Sequence, residues 1–102
     1  MLELRPTCEN CNKALPPNSV EARICSYECT FCAACAEILL GNVCPNCGGG
    51  FVPRPIRPSN NWKDDNYLGK DPASKTVKHR PVDLAVHAEF VARINSIPPQ
   101  KR

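Results

Sequence analysis

Residues 25–35 read CSYECTFCAAC, which places Cys25, Cys29, Cys32 and Cys35 within eleven residues. Two further pairs flank them, Cys8/Cys11 in CENC and Cys44/Cys47 in CPNC. Thiols at such spacings build a metal cage, a disulfide framework or a reactive centre, and the choice decides the fold. All eight lie in the first 47 of 102 residues. A segment of that size buries too little apolar surface to offset its ordering entropy unaided. The thiols are therefore its staple.

Compartment separates disulfide from metal. Disulfide-dense small domains are secreted, whereas MLELRPTCEN has no basic leader, apolar core or small-residue cleavage site. The expected location is the cytoplasm. No apolar run approaches the ~20 residues of a membrane span, and AEILLGNV already contains Glu37, Gly41 and Asn42, so no membrane association is expected. In a reducing compartment, three C-x-x-C units and one C-x-x-x-C read as metal knuckles. Zinc is the default ion, because four thiolates suit its tetrahedral preference and eight cysteines make two closed sites. Iron can use the same ligands, but nothing in the sequence points to electron transfer. Closed sites leave no position for a reacting water, so the two expected zinc ions are structural and no catalytic residue is assigned.

The four pairs combine two by two in three ways. Only Thr30 and Phe31 separate the second pair from the third, and that span reaches about 10–11 Å when extended. Consecutive pairs can then serve different metals, so reach excludes neither a sequential nor an interleaved arrangement.

The spacing C-x2-C, x13, C-x3-C, x2, C-x2-C, x8, C-x2-C resembles the cross-brace of RING-type zinc domains over residues 8–47. Phe31 before Cys32 and Pro45 after Cys44 match that pattern, while Cys29 stands where the family usually has His. The resemblance implies a small metal-stabilised domain of RING-like, treble-clef type, a two-zinc cross-brace with a short helix and few short strands. It implies that Cys8, Cys11, Cys32 and Cys35 hold one metal and Cys25, Cys29, Cys44 and Cys47 the other. It does not carry ligase activity with it. Those ligases place an apolar side chain between the first two ligands, where this chain has Glu9 and Asn10, and often a basic residue after the last, where it has Gly48. The chain as a whole resembles a bacterial family of short cysteine-rich proteins classed only as domain of unknown function 1272, through LELRP, ARICSYECTFCAAC, CPNCGG and RPIRP.

Between the sites, Leu15, Ile24, Phe31, Ile38 and Leu39 are the expected apolar filling, and Ala36–Leu40 reads as a short helix stopped by Gly41. The expected organisation is a two-zinc module over 1–53, an extended Pro-rich and polar linker over 54–81, and an amphipathic C-terminal helix over 82–97. In the linker, Trp62 and Tyr67 are expected to pin the tail onto the domain. The helix carries Leu84, Ala88, Val91 and Ile94 on one stripe, with His87 inside the apolar arc as a packed, hydrogen-bonded residue. Leu84, Val91 and Ile94 are the candidate partner-binding residues.

Charge divides the chain. Residues 1–50 hold three Lys or Arg against five Glu, and residues 51–102 hold ten against five acidic residues, for a net +3. Two four-thiolate zinc sites would each add about −2, which makes the loaded module acidic and leaves the whole chain near −1. The basic tail, with Lys75, Lys78 and Arg80, is the best nucleic-acid candidate. The reading is a structural zinc-binding interaction or adaptor module and not an enzyme, its partner another protein or a second copy, with no small-molecule substrate. A nucleic-acid-binding zinc protein is the alternative, and a zinc or redox sensor ranks below it.

Overall fold

The computed structural model describes residues 1–102. Three short antiparallel strands, β1 (Ala22–Ile24), β2 (Thr30–Cys32) and β3 (Val52–Pro53), form a sheet in the order β2-β1-β3. Ala22 lies opposite Cys32 and Ile24 opposite Thr30, so the β1–β2 hairpin loop is the Cys25–Cys29 segment itself. Glu28 adopts a left-handed φ of 64° there, and Cys25 N donates to Cys29 O at 3.2 Å. Pro53 belongs at the sheet edge, where a missing N–H breaks no further ladder.

The short helix expected over 36–40 follows β2 as a π-helical turn, Cys35–Leu39. Leu40 N closes onto Cys35 O at 2.8 Å, and Gly41 (φ +60°) and Asn42 (φ 59°) end the turn in the left-handed region. This changes the core. Ile38 is 78% exposed and Leu39 47%, while Ala36, Leu40 and Val43 are fully buried in their place. Ala36 and Leu40, four apart, share the inward face, and the residues between them turn outward. Leu15, Ile24 and Phe31 are buried as expected, and Phe31 meets Phe51 edge-on at 5.3 Å between centroids.

The 54–81 segment lies against the module. Arg54, 3% exposed, donates to the carbonyls of Arg5 (2.8 Å), Leu15 (3.2 Å) and Pro16 (3.0 Å), and Arg57 donates to those of Leu2 and Asp71 at 2.8 Å each. Backbone carbonyls satisfied by guanidinium hold an irregular chain in place without adding a strand. Trp62, expected to dock, is 79% exposed; Tyr67 is half-buried, its ring lying where a side chain on Gly69 would stand. The turn around Trp62 is closed locally by the Asn61 and Asp65 side chains.

The C-terminal helix α1 spans Leu84–Ile94, shorter than the 82–97 reading at both ends. Asp83 caps it, its Oδ1 accepting from the amides of Ala85 (3.1 Å) and Val86 (3.2 Å). The helix packs on its own module. Val91 lies over Gly41, and Phe90 and Ile94 lie over Gly48, where the absence of a side chain permits the approach.

Candidate metal centre

The Sγ atoms of Cys8, Cys11, Cys32 and Cys35 all lie within 4.8 Å of one another. Two come from the CENC turn, one from the end of β2 and one from the start of the π-helical turn, so the group joins chain segments 21 residues apart. Cys11 and Cys32 are 3.8 Å apart at sulfur. A zinc ion bound by thiolates at about 2.3 Å sets tetrahedral edges of about 3.8 Å. A disulfide needs about 2.05 Å, and all eight cysteines are free thiols. The residues present fit a tetrahedral thiolate metal.

Cys25, Cys44 and Cys47 form a second group within the same limit. Cys29, read from the resemblance as its fourth ligand, stands outside the group, buried across the hairpin turn from Cys25 and beside Asn46. Each group has one exposed member, Cys11 and Cys47 respectively.

Sulfur acceptors are matched by N–H donors. Cys11 N points to Cys8 Sγ (3.5 Å), Tyr27 N to Cys25 Sγ (3.4 Å), Gly49 N to Cys47 Sγ (3.4 Å) and Asn10 Nδ2 to Cys35 Sγ (3.3 Å). Left-handed backbone at Asn12 (φ 63°) and Gly48 (φ 79°) closes the first and last of these turns. Such donors stabilise thiolates without neutralising them. Burial pushes the Cys29, Cys35 and Cys44 thiols up, and neighbouring thiols add to the effect. Ionisation of a buried thiol cluster requires a compensating cation, which is what a divalent metal supplies.

The residues between the first two cysteines do more than space them. Glu9 is 1% exposed; its carboxylate accepts from Thr30 N (2.9 Å), Arg5 (3.1 Å), Arg80 (2.9 Å) and Asn46 (3.4 Å). Asn10 accepts from Val82 N at 2.9 Å while donating to Cys35 Sγ. Arg80 N donates to Glu9 O at 2.8 Å, and His79 Nε2 lies 3.2 Å from Asn10 O. The CENC turn is thus where residues 79–82 of the tail attach. These contacts were invisible to pattern reading, since their partners lie about 70 residues apart.

Of the tail residues singled out above, Arg80 is engaged by Glu9, and Lys75 and Lys78 are exposed. Val91 and Ile94 face Gly41 and Gly48 of the same chain, so the module itself covers that part of the stripe; Leu84 is 45% exposed. His87 is 4% exposed, with Nε2 3.0 Å from the Leu40 carbonyl oxygen. No helix is long and apolar enough to cross a membrane.

Fold and site together define a small cysteine-rich module whose two thiol groups could hold metal ions, covered on one side by its own C-terminal tail. Residues 1–57 match the family described as "Protein of unknown function (DUF1272)", and the chain belongs to that family. It is 60% identical over 74 residues to an uncharacterised protein of Rhizobium meliloti (strain 1021), an alignment covering 72% of this chain and 81% of the relative. No solved structure matches the chain.

Proposed function

We propose that the chain is a two-zinc structural module acting as a protein-binding adaptor in the cytoplasm, without catalytic activity of its own. The observation that carries the metal reading is the first thiol group, four sulfurs within 4.8 Å with N–H donors aimed at them. Cys29 supplies the fourth ligand of the second site in this reading, alongside Cys25, Cys44 and Cys47. The adaptor role is supported by the outward-facing Ile38, Val20 and Tyr27, each more than 70% exposed on the module.

Elemental analysis of protein prepared without added metal tests the first part. Two zinc ions per chain are expected, falling to one in Cys11→Ser and in Cys29→Ser, and chelation should unfold residues 1–53. One metal or none in the wild-type chain, or iron in place of zinc, refutes it. Affinity capture tests the second part: a protein partner should be lost on chelation and on Ile38→Asp but survive added salt. A partner released steeply by salt would instead favour nucleic acid on the Lys75/Lys78 surface.

A further inference from the structure

A cleft of ≈ 520 Å³ separates α1 from the cysteine module, walled by Phe31, Val82, Val86, His87 and Phe90 among others. That volume is within the range of small-molecule sites, which pair an apolar lining with a few placed polar groups. Four of the cleft's thirteen lining residues are hydrophobic, and of the polar ones only His87 and Glu9 are buried. His87 is 4% exposed, and its Nε2 sits 3.0 Å from the Leu40 carbonyl oxygen. A carbonyl has no proton to give, so Nε2 carries the ring proton in this contact, and Nδ1 has no hydrogen-bond partner. His87 lines the cleft, and its Nδ1, which is not among the buried atoms left without a partner, offers an acceptor to a donor there.

Charge narrows the ligand. The mouth carries Arg80 and Arg93 against Asp83 and Glu89, all exposed, so neither sign is favoured. Glu9, the one buried carboxylate, is already shared between Arg5 and Arg80. Phe90 presents its ring between His87, 6.1 Å away edge-on, and the Arg93 guanidinium, 5.9 Å over its face. We propose that this cleft binds a small uncharged aromatic molecule bearing one O–H or N–H donor, its ring against Phe90, Val82 and Val86 and its donor on His87 Nδ1. This goes beyond the structural role above and makes the module a ligand-bearing one.

The test uses full-length, metal-loaded, ¹⁵N-labelled protein titrated with p-cresol, toluene and 4-methylanisole. The expected result is saturable shifts at Val82, Val86, His87 and Phe90, with p-cresol binding about tenfold more tightly than either probe lacking a donor, the factor one added hydrogen bond supplies. In His87→Phe that advantage should vanish while metal content stays constant. Equal affinity of the three probes, shifts centred outside the cleft, or no saturable shift with p-cresol overturns the proposal. If His87→Phe fails to dock its helix, the comparison of p-cresol with 4-methylanisole in the wild-type chain decides alone. Metal content measured on the same samples keeps failure of the ligand site distinct from failure of the metal reading.

Discussion

Arg54 holds three carbonyls from two other segments, with no carboxylate among its partners, and burial pushes its guanidinium down from its usual value. Removing it leaves the buried Leu15 carbonyl unpaired, at about 1–3 kcal/mol, and loses the part-buried bonds to Arg5 O and Pro16 O as well. Arg54→Met should therefore lower the unfolding free energy of metal-loaded protein by at least about 2 kcal/mol in a denaturant titration, with both metals retained in the native state. At Glu3 the carboxyl is held below its ordinary range, first by the Arg5 guanidinium and then by the Ser74 hydroxyl. A depressed folded-state value means the tie contributes fully above the ordinary carboxylate range and is lost as pH falls through the lowered folded value. Amide exchange at Ser74, whose N–H donates to Leu4 O at 3.0 Å, should rise relative to its neighbours on acidification. In Glu3→Gln that extra acid sensitivity should be absent.

The contact between α1 and the module rests on glycine. At Gly48 an added Cβ would stand 3.2 Å from Phe90 Cζ and 3.4 Å from Ile94 Cδ1, on backbone at φ +79° that L residues resist. Gly48→Ala should cost about 1–3 kcal/mol and raise amide exchange across 84–94. Val91→Asp should do the same, because Val91 packs over Gly41, whereas Leu84→Asp, at a 45% exposed position, should stay within about 0.5 kcal/mol of wild type. The sequence could not separate Leu84 from Val91, since both fall on one stripe and a stripe does not say which of its residues meets a surface. The same blindness produced the Ile38 and Leu39 error. Periodicity over five residues cannot tell an α-turn from the wider Cys35–Leu39 turn, and the two bury different side chains. The cysteine spacing was more informative because ligands must converge on a point, which is a stronger constraint than burial of a face. Cys29 lies beside Cys25 and Asn46, outside the 4.8 Å limit that Cys25, Cys44 and Cys47 share.

Across the whole molecule, which measures 45 × 27 × 18 Å, the tail and the first thiol group share one side chain. Asn10 donates to Cys35 Sγ and accepts from Val82 N, so whatever orders that sulfur also orders residues 79–82, and the coupling runs equally in both directions. Arg80→Ala should speed metal loss to a chelator from the first site more than from the second, and Cys11→Ser should raise exchange at Arg80 and Val82. The linker and tail contacts could not be read from the sequence because Arg54, Arg80 and Val82 act through backbone and side-chain partners 38–72 residues away, without periodic signature. The same Asn10 bridge bears on the order of events at birth. A chain made from its N-terminus completes the first thiol group once Cys35 has been synthesised, long before Arg80 and Val82 exist. The four thiols would converge first, and the stretch that contacts Glu9 and Asn10 would follow only some 45 residues later. A ribosome stalled between these two points would display the first thiol group complete, with the stretch that binds Asn10 still unwritten.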